Sequence, residues 1–426
     1  MDFYVDDYKQ LINDNDYTKA INQAISDASL NNGRVIFKEN KLYRSGTIYL
    51  KDNIELYFEK NSCLKALDDI ESFNVNNIKI KEGLEVNTFI NCDYDGKPYL
   101  YFIYGFGLNN IKFSGAGIID GNEKIFYGQV EQNYIEGKFY PRMPLIYIEN
   151  SKDINIKNIT LTHSAFWTVH LVGSSDIVID SIKILNNRKM LNADGIDPDH
   201  SKNILIKDCY IESADDCIVF KGTKENIKYG NCENIEVRNC TLKSTSAAIK
   251  IGTETYAEFN NINISDVKIL DTNRGISLMM RDGGVIHNVK FNNIDIQTHL
   301  VDPNAFWGKG EAIAITNVKR TKDSKDGLIY DIEFNNININ SEHGIFMYGD
   351  NNIKDITFNT LDLKLNNITT YRKNIYDLRP NINNVTFDDD LAELYLHNVK
   401  NIIINDNKNK NYKIINHNST FFVENK

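Results

Sequence analysis

The stretch Asp153-Ile154-Asn155-Ile156-Lys157-Asn158-Ile159 decides the fold, because its pattern returns along the chain. An Asn or Asp is followed by an aliphatic residue, a second apolar residue two positions on, and a third three positions later. The apolar triplets are Ile154, Ile156, Ile159; Ile177, Ile179, Ile182; Ile204, Ile206, Cys209; Ile235, Val237, Cys240; Ile262, Ile264, Val267; and Val289, Phe291, Ile294. Further copies are expected to begin at Ile332, Ile356 and Val385. The first residues are separated by 23, 27, 31, 27, 27, 43, 24 and 29 positions. Apolar residues two apart are a strand signal, and self-similarity at this period marks a solenoid. Uneven spacing argues against α-solenoids, whose helix pairs keep their period. A parallel β-helix tolerates it, because turns lengthen without disturbing the stack. The abundant asparagines read as turn residues that accept left-handed geometry.

The expected architecture is therefore all-β: a right-handed parallel β-helix in one domain, residues 1–426. Residues 1–45 would form an N-terminal cap region, 46–400 the coils, and 401–426 a C-terminal strand or cap. Within the cap, Ala20, Ile21, Ala24, Ile25 and Ala28 share one helical face, with Asp16 or Thr18 as cap. Such a helix would cover the open strand ends of the solenoid.

The net charge of -10 argues against a nucleic-acid partner and an anionic membrane. No stretch approaches 18 apolar residues. The first residues show neither a basic nor an apolar leader, so a cytoplasmic location with reduced cysteines is expected. The six cysteines form no CxxC pair, which disfavours a zinc ribbon; no cofactor and no resident metal are expected.

Two coils carry acids where a strand begins: Asn192-Ala193-Asp194-Gly195-Ile196-Asp197, and Asp215-Asp216-Cys217-Ile218-Val219-Phe220-Lys221. Asp194 and Asp215 are 21 residues apart, roughly one coil. Three carboxylates at neighbouring strand starts would raise one pKa by repulsion, giving an acid beside a base, as glycosidic cleavage requires. Turn aspartates or ligands for calcium are the structural alternative.

At these residues the chain resembles glycoside hydrolase family 28, the polygalacturonases and their relatives, whose motif is Asn-Thr-Asp-Gly followed one coil later by Asp-Asp-Cys-Ile. Here the threonine is replaced by Ala193. Gly117-Ile118-Ile119-Asp120-Gly121-Asn122, Pro141-Arg142 and Phe166-Trp167-Thr168-Val169-His170 extend the likeness. It implies an inverting hydrolase in which Asp215 protonates the leaving oxygen while Asp194 and Asp216 activate water. The family's Gly-His-Gly is absent, with Ala247 at the histidine position. Its Arg-Ile-Lys is absent too, with Ser277 and Met279 at the cationic positions.

Strand alternation places Asp197, Val219, Lys250 and Ser277 in one outward column, with His170 in the same column. Trp167 falls in the column of Asp194. Lys250 and Arg281 are the expected substitutes for the lost cations. Asn192, Trp167, His170, Asp197, Trp307 and Glu311 complete the expected substrate-binding set, with Glu342 as a further cleft candidate. The excursion through Phe306-Trp307-Gly308-Lys309-Gly310-Glu311 would wall the cleft and favour exo action. The expected partner is a pectin-related or other plant oligo- or polysaccharide. A β-helix lyase or epimerase, kept open by Lys250, and a non-catalytic carbohydrate-binding β-helix are the alternatives. Oligomeric state is not legible.

Overall fold

The polar position that opens each repeat is a left-handed bend. Asp153, Asp176, Asn203, Asn234, Asn261 and Asn288 have φ between 50° and 58°. Five residues on, Asn158, Ser181, Asp208, Asn239, Asp266 and Asn293 bend the same way, with φ of 52° to 58°. Asn and Asp visit this region at least cost among residues with a Cβ. The repeat is thus two polar corners enclosing a short strand whose alternate residues face the core.

The computed structural model describes residues 1–73, 97–303, 305–406 and 411–425. Among these, one compact unit ends at Ala214 and a second begins at Asp215. Both are right-handed parallel β-helix, built from two parallel sheets whose strands pair in register.

In the first unit, one sheet stacks Asp2–Tyr4, Arg34–Phe37, Ile54–Phe58, Asn109–Gly115, Lys152–Lys157, Ser175–Asp180 and Lys202–Lys207. The other stacks Ile48–Tyr49, Ile103–Phe106, Ile146–Glu149, Val169–Val172 and Ile196–Asp199. The helix Thr18–Ser29 buries Ala20, Ile21, Ala24, Ile25 and Ala28, the five residues of the expected face. The Asp16 carboxylate accepts the Thr18 backbone N–H at 2.8 Å. Residues 1–45 are more than a cap, since Asp2–Tyr4 and Arg34–Phe37 already pair in the sheet.

In the second unit, one sheet stacks Cys232–Arg238, Glu258–Thr272, Val285–Thr298, Ile332–Ser341, Lys354–Leu365, Lys400–Asp406 and Phe421–Asn425. The other stacks Ile218–Gly222, Ala247–Thr255, Arg274–Met280, Glu311–Asn317, His343–Tyr348, Leu394–His397 and Ile414–His417. Like side chains stack on like: Phe291, Phe334 and Phe358 lie 4.8 and 4.6 Å apart, nearly parallel. On the outer face the amides of Asn263, Asn292, Asn335 and Asn359 hydrogen-bond in a ladder at 2.7–2.8 Å.

The repeat reading holds at Ile332 and Ile356 and fails at Val385. That residue precedes the short antiparallel strand Thr386–Asp388, which pairs with Ile375–Asp377 outside both sheets. The coil after Ile356 continues at Ile402. Repeats at Ile54 and Ile111 went unread in the sequence, although they pair in register with each other and Ile111 with Ile154. Cys209 and Cys240 are buried core residues, as expected. Among the described residues no helix is long and apolar enough to cross a membrane.

Candidate active site

In the first unit Asp194 stands two residues before Ile196, as Trp167 stands two before Val169, and Val169 pairs with Ile196. The Asp194 backbone carbonyl accepts two bonds from the neighbouring coil, from Thr168 N–H at 3.1 Å and Thr168 Oγ1 at 2.5 Å. Asn186 donates to Thr168 Oγ1 at 2.7 Å and holds that hydroxyl in place. Asn192 adopts φ of 58° and its Oδ1 accepts from the buried Arg142 guanidinium at 3.0 Å. It shapes the turn that carries Asp194.

The expected column of His170 and Asp197 exists: Tyr104, Tyr147, His170 and Asp197 pair successively. Its inner members lie beneath the surface. His170 and Asp197 are fully buried, and His170 Nε2 lies 3.4 Å from Asp199 Oδ2. Trp167 is 3 % exposed, stacked on Phe166 at 5.0 Å and set edge-on to His170 at 4.8 Å. Trp167 and His170 pack on neighbouring rings, and Asp194 is itself only 2 % exposed, so burial by itself does not separate these three residues from the candidate acid.

In the second unit Asp216 accepts three bonds: Lys250 Nζ at 2.7 Å, Ser246 Oγ at 3.1 Å and the Ala247 N–H at 3.2 Å. Ser244 Oγ donates to the Asp215 carbonyl at 2.6 Å, the counterpart of Thr168 on Asp194. Asp215 keeps part of its surface exposed. Burial of its carboxyl group and then the neighbouring Asp216 charge raise its pKa, against the weaker pull of Lys250 and Lys221. For Lys250, burial works against the charge, but Asp216 and then Asp215 outweigh it and hold the ammonium above its ordinary value.

Val219, Lys250 and Ser277 share one column, as expected from alternation. Sequence reasoning missed Lys221 and Glu254, a buried pair 3.4 Å apart. It also missed Arg274. Register places Ala247 beside Arg274, and each stands two residues before a pairing isoleucine, as Asp216 does. That offset was the available signal.

Arg281 is spent within the protein. It is 1 % exposed and its guanidinium donates to Pro380 O at 2.6 Å, Met280 O at 2.8 Å, Thr316 Oγ1 at 2.9 Å and Leu378 O at 3.1 Å. Glu311 is also buried, accepting two bonds from Arg274 at 3.0 and 3.2 Å and one from the Lys309 N–H at 2.6 Å. Glu342 accepts the N–H groups of Leu300 at 2.9 Å and Ile368 at 2.8 Å. Both acids anchor loops; a buried carboxylate is stable only with such donors. Trp307 stays partly exposed, its carbonyl fixed by Asn273 Nδ2 at 2.9 Å and the following Gly308 N–H by Asp377 at 2.9 Å.

The profile of glycosyl hydrolases family 28 matches residues 65–303. A probable polygalacturonase of Vitis vinifera is 29% identical over 304 residues, which cover 69% of this chain and 59% of that relative. The match therefore spans about three fifths of the relative's length. The exopolygalacturonase of Thermotoga maritima superposes with a TM-score of 0.69 at 17% identity, over 100% of this chain and 90% of that one. The family 28 exopolygalacturonase of Yersinia enterocolitica gives 0.72 at 16%, over 99% and 78%. With its profile extending over more than half of the residues, across both acidic motifs, the chain belongs to glycosyl hydrolases family 28.

Proposed function

We propose that the protein hydrolyses O-glycosidic bonds in pectin-related oligosaccharides with inversion, using Asp194, Asp215 and Asp216. The observation that carries this reading is the state of the Asp215–Asp216 pair. One carboxyl is biased toward its protonated form, while its neighbour is an acceptor bonded to an ammonium, a hydroxyl and a backbone N–H. That is an acid beside a base. Asp215 donates its proton to the leaving oxygen. Asp216 and Asp194, each two residues before the first residue of a strand in consecutive repeats, take the proton of the attacking water. Lys250 and Lys221 are each paired with an acid of the protein, Asp216 and Glu254, so the case for an acidic sugar rests on the relatives rather than on a cation at Ala247, Ser277 or Met279. The polygalacturonase names of the relatives support a galacturonate-containing substrate, and the two exo-acting structural neighbours support cleavage from a chain end.

The test is hydrolysis of galacturonate oligomers by the wild type and by Asp194→Asn, Asp215→Asn and Asp216→Asn. Reducing ends are counted and the anomer of the fresh product is read by NMR. Inverted product and losses of roughly 10²- to 10⁴-fold in each variant are expected. An unsaturated product absorbing in the ultraviolet, or an Asp215→Asn enzyme of full activity, overturns the reading.

A further inference from the structure

On the first unit, the outward column that ends at Asp197 begins in an open aromatic pocket. A cavity of about 350 Å³ is lined by Lys97, Tyr99, Tyr101, Tyr104, Phe106 and Glu149. Its size is that of a small-ligand site. Phe106 is 51% exposed and forms an aromatic wall of the cavity. From this pocket the rings run without a break toward Asp194. Tyr104 lies parallel to Tyr147 at 6.0 Å, Tyr147 edge-on to His170 at 5.1 Å, and His170 edge-on to Trp167 at 4.8 Å. The inner three rings are buried, and only the pocket end is offered to solvent.

The charges at this end cancel. Lys97 Nζ is ion-paired with Glu149, whose other oxygen accepts the Tyr147 hydroxyl at 2.9 Å. Among the described residues no other charged side chain lines the cavity. A sugar acid would need a cation that is not already committed, whereas an uncharged ring needs an aromatic face and a few hydrogen-bonding groups.

We propose that this pocket is a remote subsite for an uncharged sugar unit of the substrate, three strand steps from Asp197, on the order of 14 Å. The CH face of the ring packs on Phe106 and Tyr104, and its hydroxyls bond to Tyr99 and Glu149. The inference rests on the hydrolase reading above and adds to it that the substrate is mixed, acidic at the scissile bond and neutral at one end.

The experiment compares galacturonate oligomers with oligomers of equal length that carry one to three neutral galactose units at either end. Wild type should show a kcat/KM that rises when neutral units reach the pocket. Phe106→Ala, at an exposed position, should lose roughly threefold to tenfold of that gain and leave short acidic oligomers unaffected. Glu149→Gln, which leaves Lys97 unbalanced, should shift preference toward acid-ended oligomers. No gain from neutral units, or a gain untouched in Phe106→Ala, overturns the subsite while leaving hydrolysis intact. If wild type cleaves none of the oligomers, the hydrolase reading fails. Calorimetric titration with a neutral galactose tetramer then decides the pocket by itself: binding weakened in Phe106→Ala sustains it, and absence of binding ends it.

Discussion

Lys250 Nζ donates to Asp216 Oδ2 at 2.7 Å, and both side chains are nearly buried. The pair ties a cation of one coil to an acid of the coil before it. Removing the ammonium leaves a buried carboxylate short of a partner, which costs more than the pair contributes. Lys250→Met should lower kcat by about tenfold or more and reduce stability by about 3 kcal/mol. Lys250→Arg, which keeps the charge, should recover part of both. Steady-state kinetics and denaturant unfolding on the same preparations check this; a normal kcat in Lys250→Met would remove the pair from the mechanism.

Asp215 makes a prediction about pH whose sign is fixed. Its folded pKa is raised above the ordinary 3.8 by burial and by Asp216. The folded state therefore holds this proton more tightly than the unfolded chain, and Asp215 costs stability as pH rises from 3.8 through the raised value. Asp215→Asn should be inactive yet at least as stable as wild type at neutral pH, with the advantage gone below pH 3.8. Melting temperatures at the two pH values decide it. In wild type the same ionisation should form the alkaline limb of the activity profile.

Arg281 should prove structural. Its buried guanidinium holds carbonyls of Leu378 and Pro380, nearly a hundred residues away in sequence. Arg281→Ala should destabilise by about 3 to 5 kcal/mol, because several buried acceptors lose their donor at once. At a temperature where the variant remains folded, KM should be close to wild type. A raised KM with unchanged stability would restore the binding role that its position suggested.

Asp377 should dominate the acid side of stability. Burial alone would raise its pKa, but the Arg379 hydrogen bond and then the Arg274 charge hold it at about 2. Its contribution, about 2 kcal/mol, is present above the unfolded value of 3.8 and lost as pH falls from 3.8 toward 2. Asp377→Asn should be less stable than wild type at pH 6 and show a flatter decline over that window. An unchanged slope in acid unfolding would contradict the assignment.

Much of this was legible before any coordinates. The corners at Asn203 or Asn234 are readable because a left-handed bend favours Asn, Asp and Gly, and the strands because alternation imposes a period of two. The helix Thr18–Ser29 was readable by its apolar stripe. Val385 misled because an apolar residue after two asparagines also describes the turn of a hairpin, and only pairing distinguishes the two.

Candidate residues divided along another line. Lys250 was placed correctly because register follows from alternation. Trp167 and His170 were chosen by column and Arg281 by its place beyond the lost lysine, and such a position does not say whether a side chain faces a ligand or a loop. Burial answered that: Arg281 and Glu311 are spent on backbone carbonyls, N–H groups and a neighbouring arginine.

The chain alone determined the solenoid, the register of its columns and the acids at the strand heads, because each of these is a local rule repeated at every coil. Folding alone decided which polar side chains remain available to a ligand. That depends on excursions such as the loops through Trp307 and Leu378, whose resting places are set by buried donors and acceptors far apart in sequence and by no periodic pattern.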